Sequence, residues 1–309
     1  MRKKFISFVI AVRNEAENLP FLICEIKDKI SGDFELIFVD DGSSDGSGEI
    51  AIREMEKDKV RGEVIYLKSG YGKGPALKAG IEEAKGDILV MMDADMQDDP
   101  GDVDKFVDKV GDKADMVVGW RKKRNDRVIT VLSSRVFNSL VSLFTGVEFH
   151  DINCGIKVFK KEIAEKVEIY RGMYRFLPVF ASWKGYKVVE VEVNHRKRKY
   201  GKSKYSFWKI IDGFFDLFLV TFLIKFSFNP LRIYGGVGLG MFGVGFIMAL
   251  YLSILRLLGE KIGDRPLLIF SAIFIIGGIQ LISMGFLGEM IRMGGRERKP
   301  YIVEKVEKV

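Results

Sequence analysis

Asp87-Ile88-Leu89-Val90-Met91-Met92-Asp93-Ala94-Asp95 decides how this chain is read. Five consecutive apolar residues, too few for a helix and flanked by carboxylates, have the pattern of a strand buried on both faces of a parallel sheet. Asp93 and Asp95 then emerge one residue apart where that strand leaves the sheet. In open α/β sheets ligands bind beyond the carboxyl ends of the strands, and hard Mg²⁺ or Mn²⁺ prefers a few carboxylates completed by substrate phosphates. A phosphate-bearing substrate is the first expectation. The same pair also suits a turn whose carboxylates cap the next segment.

Working outward, apolar strands alternate with helical stretches. Phe5 to Val12, Phe34 to Val39, Val64 to Leu67 and Ile88 to Met92 read as strands. Ala16 to Ile30, Ser47 to Lys57 and Pro75 to Ala84 read as the intervening helices. This order specifies a mostly parallel α/β sheet with helices on both faces. Met116 to Gly119, Gly155 to Phe159 and Val188 to Val193 complete a mixed sheet, with a helix over Val128 to Thr145. After the second strand, Asp40-Asp41-Gly42-Ser43 offers carboxylates to a ribose or base. After the third, Gly70-Tyr71-Gly72-Lys73-Gly74 opens onto a helix N-terminus that would favour anions but fits neither phosphate-loop pattern, so it reads either as an anion-binding loop or, in preference, as a plain glycine turn.

The second half is different in kind. Ile233 to Leu255 and Leu267 to Gly288 carry no charge, and each exceeds the roughly 20 residues that cross a hydrocarbon layer as helix. They read as a transmembrane hairpin joined by a short polar link. Basic residues before the first stretch and in the tail place both termini in the cytoplasm by the positive-inside rule. Phe207 to Phe228 mixes Phe and Leu with Lys209, Asp212, Asp216 and Lys225, which suits the bilayer interface. Val128 to Thr145 has a similar blend and is either interfacial or core-facing. The domains expected are a cytoplasmic catalytic unit over residues 1–205, an interfacial helix over 206–230, the hairpin over 231–291 and a basic tail over 292–309.

The net charge of +7 gathers near amphipathic and apolar segments, which points to anionic lipid and not to nucleic acid. Two cysteines without paired spacing fit a reducing compartment, and two histidines are too few for a metal site. The basic run Arg196 to Lys209, ending in Tyr205, Phe207 and Trp208, suits phosphate and membrane binding. Glycines at 235, 236, 238, 240, 243 and 245 permit close helix approach, either within the hairpin or in a homo-oligomer.

Several motifs carry a resemblance. Val12-Arg13-Asn14-Glu15, Val39-Asp40-Asp41-Gly42-Ser43, Asp93-Ala94-Asp95-Met96-Gln97, Gly119-Trp120-Arg121, His150-Asp151-Ile152-Asn153-Cys154-Gly155, Tyr174-Arg175-Phe176-Leu177-Pro178 and Arg198-Lys199-Tyr200-Gly201-Lys202-Ser203 together resemble the family-two inverting glycosyltransferases of the GT-A fold. The later ones resemble the polyprenyl-phosphate branch. The resemblance implies a Rossmann-like GT-A catalytic domain that moves a hexose from a nucleotide sugar, of GDP-mannose or UDP-glucose type, to the phosphate of dolichyl or undecaprenyl phosphate. It further implies that Glu15 and Asp41 hold the nucleoside, with Ala11, Arg13, Val39 and Ala94 lining its pocket. Asp93, Asp95 and Gln97 would hold Mg²⁺ or Mn²⁺ and the donor diphosphate. Arg121 would face the phosphates, and Asp151 would orient acceptor or sugar. Arg135, Arg198, Lys202 and Ser203 would bind the acceptor phosphate. Ala11 and Gly70 depart from the family's usual proline and asparagine, which leaves base preference open. Two other readings are a processive polysaccharide synthase, whose Gln-x-x-Arg-Trp signature is missing, and a non-enzymatic nucleotide-sugar sensor.

Overall fold

A computed structural model describes residues 4–111, 113–122, 128–167, 171–196, 213, 215–222, 230–263, 265–294 and 303–308. It divides into two compact units, Met1–Val220 with Lys299–Val309, and Thr221–Arg298.

In the first unit, β1 (Ile6–Val12), β2 (Phe34–Asp40), β3 (Gly62–Leu67) and β4 (Ile88–Asp93) alternate with α1 (Leu19–Lys29), α2 (Ser47–Asp58) and α3 (Lys73–Glu83). The expected parallel core is present: β1 lies between β2 and β4, and β2 pairs with β3 in the same direction. Beyond β4 come α4 (Val103–Val107), β5 (Met116–Trp120), α5 (Val128–Thr145), β6 (Lys157–Lys160), α6 (Lys161–Lys166), α7 (Leu177–Trp183) and β7 (Val188–Glu192). With β8 (Val303–Lys308), the sheet has eight strands among the described residues, in the order β7-β5-β6-β4-β1-β2-β3-β8.

β6 runs antiparallel to both β4 and β5. That reversal has a functional consequence, because the residues before β6 arrive at the same edge that β4 and β5 leave. Apolar side chains fill both faces, with Phe8, Ile10, Leu22 and Val90 in the core on one side and Val9, Ile37, Leu77 and Leu89 in the core on the other. β4 is buried from Ile88 to Met92, as a continuous apolar run in a parallel sheet should be.

Two features differ from the sequence reading. Helix α3 begins at Lys73, two residues before Pro75, because proline is tolerated in the first turn of a helix where its missing N–H is not needed. The tail contains a strand, β8 (Val303–Lys308), antiparallel to β3 at the sheet edge. Its Val-Glu-Lys-Val-Glu-Lys sequence repeats every three residues, not the two of a half-buried strand, and its pairing with β3 carries a register irregularity at Tyr66/Leu67.

The second unit holds two helices, Pro230–Leu257 and Pro266–Gly294, both long and apolar enough to cross a membrane. Only 17% and 11% of their most apolar windows are buried, so they are not core helices of a water-soluble globule. They pack on glycine. A methyl group on Gly278 would stand 2.7 Å from the carbonyl oxygen of Gly238 and 2.7 Å from the amide nitrogen of Phe242, so backbone meets backbone there. Gly236, Gly240 and Gly243 face open space. Gly278→Val is expected to force the pair apart and cost roughly 1–3 kcal/mol, the usual range for overpacking, whereas Gly240→Val should be near neutral. Thermal unfolding of both variants in detergent checks the difference.

Candidate active site

The carboxyl ends of β1, β2, β3, β4 and β5, together with the residues entering β6, share one edge of the sheet. There lie Asp41, on the amides of Tyr71 and Gly72, the pair Lys73 and Asp93, and the pair Arg121 and Asp151.

The first group of contacts stitches the loops after β1 and β2. Asn14, at φ 55°, accepts the Ser44 amide at 2.8 Å, and its own amide donates to Ser43 Oγ at 3.0 Å. Asparagine tolerates this left-handed backbone better than most residues. The Glu15 amide donates to Ser47 Oγ at 3.0 Å, and the Glu15 carboxylate accepts from Asn18. Asp41 anchors the glycine loop: its oxygens accept from the amides of Tyr71 at 2.7 Å and Gly72 at 2.9 Å. Burial pushes the Asp41 carboxyl upward despite those bonds and the Arg13 guanidinium 3.8 Å away. Gly70 makes room for that guanidinium, since a methyl group there would lie 2.5 Å from it.

Lateral register explains where the expected pocket residues point. Val39, Ala11 and Asp93 are neighbours across three parallel strands and so share the face covered by α3. Val39 is fully buried in the core beneath α3, near Gly80. Ala11 is half-buried, and Ala94 lies buried in the core of the opposite face. Asp93 emerges past the start of α3, where the Lys73 ammonium contacts its Oδ1. Lys73 was not singled out by the glycine-turn reading. Its signal was positional: a lysine opening a helix directly after a strand at the edge where the aspartates lie.

Burial works against the charge of both partners, yet their contact holds Asp93 below and Lys73 above their ordinary values. Asp95 accepts the Gln97 amide at 3.2 Å, with Met96 between them at φ 62°. The Gln97 side-chain nitrogen Nε2 lies 3.4 Å from His195 Nε2. Asp98, a third carboxylate absent from the sequence assignment, is buried beside Asp93. A methyl group on Gly155 would lie 2.2 Å from Asp98 and 3.1 Å from Asp93, so only glycine fits between them. Burial, then the charge of Asp93, pushes the Asp98 carboxyl up to about 7. Lys157 is buried and donates to the Cys154 carbonyl, and burial pushes its ammonium down to about 8. A lysine within the otherwise apolar Ile156 to Phe159 was its signal in the sequence.

Arg121 and Asp151 form a bidentate pair, Nε to Oδ2 at 2.7 Å and Nη2 to Oδ1 at 3.0 Å, with 14% and 3% of their side chains exposed. Asp151 thus orients Arg121, a contact the sequence reading did not foresee. Glu190 of β7 steadies the turn by accepting from the amides of His150 and Asp151 at 3.0 Å. Arg196, read as part of a phosphate-binding basic run, instead pairs with Glu25 at 2.8 Å and Asp99 at 2.6 Å. Arg135 is exposed on α5. Arg198, Lys202 and Ser203 lie outside the described residues.

Residues 7–168, just over half of the chain, match the model of glycosyl transferase family 2. The chain belongs to that family. It is 32% identical to an undecaprenyl-phosphate 4-deoxy-4-formamido-L-arabinose transferase of Photorhabdus laumondii over 98% of this chain and 94% of that one. A dodecaprenyl-phosphate galacturonate synthase of Rhizobium johnstonii is 30% identical over 93% of this chain and 87% of its own. Among solved structures, glucosyl-3-phosphoglycerate synthase from Mycobacterium tuberculosis, in complex with Mn²⁺ and UDP-glucose, superposes with a TM-score of 0.56 at 19% identity. That match covers 71% of this chain and 79% of the other, and it shows the GT-A-like fold. The protein is therefore a glycosyltransferase, similar along nearly its whole length to polyprenyl-phosphate sugar transferases.

The buried Arg121–Asp151 pair gives a direct test of the edge's electrostatics. Asp151→Asn strands a guanidinium in a desolvated site and should destabilise the protein by roughly 3–5 kcal/mol, while the double change Arg121→Met/Asp151→Leu should recover most of it. Chemical denaturation of the three proteins reads this out.

Proposed function

We propose that this glycosyltransferase moves a glycosyl group from a nucleotide sugar to the phosphate of a polyprenyl phosphate, at the cytoplasmic surface of a membrane spanned by its two apolar helices. One observation carries the reading: the similarity to polyprenyl-phosphate sugar transferases runs through the hairpin as well as the sheet. Both the donor-binding edge and the segment that would meet lipid belong to the shared chain.

The donor's nucleoside would lie against Arg13, Glu15 and Asp41, with its diphosphate toward Asp93 and Asp95. Among the described residues no group of three or more His, Cys, Asp or Glu is placed to hold a metal. Two carboxylates with Gln97 nevertheless fit Mg²⁺ or Mn²⁺ in a site that substrate phosphates complete, the usual arrangement for these hard ions. A bound ion would supply positive charge against the departing diphosphate.

The chain's own cations contribute to the same end. Lys157 and Arg121 are fixed in a desolvated pocket before the reaction begins, where oriented charge stabilises a developing anion far better than in water. In the transfer, an oxygen of the acceptor phosphate bonds to the anomeric carbon as the bond to the diphosphate oxygen breaks. A phosphate monoester with a second pKa of about 6 is already ionised near neutral pH, so no strong base is required. This leaves Asp151 free to position Arg121.

Lipid contact is supported by where large apolar side chains are exposed. Leu132, Val136, Leu143 and Phe144 of α5 are exposed, as are Phe215 and Phe218 in the helical residues 215–222. Gly213 packs beside Phe137 of α5, so the two stretches are neighbours. Arg135 shares α5 with those apolar residues, at a position suited to a headgroup phosphate. Arg198, Lys202 and Ser203 would close over the phosphates. Basic residues before the first apolar helix and in the tail support placing both ends of the hairpin on the cytoplasmic side.

Membranes carrying the protein, incubated with polyprenyl phosphate, Mn²⁺ and each of a panel of radiolabelled nucleotide sugars, should yield a chloroform-soluble product from one donor. Asp95→Ala should lower that yield at least 100-fold. Binding of a donor without transfer to any polyprenyl phosphate would contradict the reading and favour a sensor.

A further inference from the structure

Lys73 contacts the carboxylate on which the metal reading above depends. Its ammonium meets Asp93 Oδ1 and lies over the Tyr174 ring, 5.1 Å from the centroid. The two side chains keep 32% and 34% of their surface exposed, so an ion arriving from solvent reaches the contact without the core opening. The backbone beneath Lys73 is fixed. Asp41 holds the Tyr71 and Gly72 amides, and Gly72, at φ 97°, makes the turn into α3. Movement of the ammonium is therefore a matter of side-chain rotation. An ammonium and a divalent ion compete for one carboxylate oxygen, because like charges at that separation repel.

We propose, resting on the assignment of Asp93 and Asp95 as the metal-holding pair, that Lys73 is the placeholder cation of this site. In the empty protein it neutralises Asp93. When a divalent ion arrives with a nucleoside diphosphate, the ammonium yields the carboxylate and turns to the new negative charge of the diphosphate. A divalent ion alone must displace Lys73 from Asp93, on which the cations Lys157 and Arg121 already act, and so binds weakly. The diphosphate brings the anion that takes up the displaced ammonium. Metal and nucleotide consequently bind with positive coupling, and the coupling is reciprocal.

The test is Mn²⁺ binding to the full chain in detergent, read from the paramagnetic resonance signal of free Mn²⁺, with no nucleotide, with UDP and with GDP. Lys73→Met should bind Mn²⁺ at least tenfold more tightly than wild type without nucleotide. The enhancement produced by whichever diphosphate binds should shrink at least tenfold in that variant. Lys73→Arg, which keeps a cation and preserves packing should Lys73→Met fail to fold, should bind Mn²⁺ no more tightly than wild type. Unchanged or weaker Mn²⁺ binding by Lys73→Met without nucleotide, or tighter binding by Lys73→Arg, would overturn the placeholder role. Asp93→Asn separates the two levels of argument. Its loss of Mn²⁺ binding supports the site, whereas Mn²⁺ binding equal to wild type would sink the metal assignment itself, and the placeholder with it.

Discussion

The contact between Lys73 and Asp93 brings a helix N-terminus and a strand end together at the sheet's carboxyl edge, and the rest of the site is arranged around it. Burying charge is costly, and charges stay buried only when each finds a partner. The edge meets that demand with a closed set: Lys73 on Asp93, Arg121 on Asp151, Lys157 on the Cys154 carbonyl, and Gly155 leaving space for two carboxylates side by side. Asp98 is the weak member, and its carboxyl is displaced the furthest toward neutrality among the carboxylates. Such a site is electrostatically tense before any ligand arrives. A substrate that delivers both anionic phosphates and a divalent cation can exchange partners within it without adding much net charge.

Topology explains why one edge collects so many motifs. Parallel strands β1 to β4 all leave at the same side, and the reversal at β6 returns the His150 to Gly155 segment there as well. Glu190 of β7 then braces that segment from the far end of the sheet. On the other flank, β8 adds the chain's last described residues to β3.

Much of this was legible in the residues, for identifiable reasons. Buried parallel strands are continuous apolar runs, so β1, β2 and β4 stood out, and charge-free stretches of helix-spanning length announced the hairpin. Side-chain direction was harder to read. Val39 and Ala94 sit within motifs that suggested a pocket, but the register turns their side chains into the two cores. Partner choice was not legible at all: nothing in the sequence pairs Arg121 with Asp151, or Arg196 with Glu25 and Asp99, which meet it from residues distant in sequence. Strand β8 was hidden because Val303 and Val306 stand three residues apart in a charged tail, which is not the period-two pattern of a strand.

The central claim is that the carboxylate edge receives a divalent ion together with a nucleoside diphosphate. Anomalous diffraction from crystals grown with Mn²⁺ and a nucleoside diphosphate tests it most directly. The account predicts a manganese peak between Asp93 and Asp95 and the diphosphate, with the Lys73 ammonium moved off Asp93. A nucleotide bound away from the β4 edge, or a manganese peak elsewhere with Lys73 still on Asp93, would contradict it.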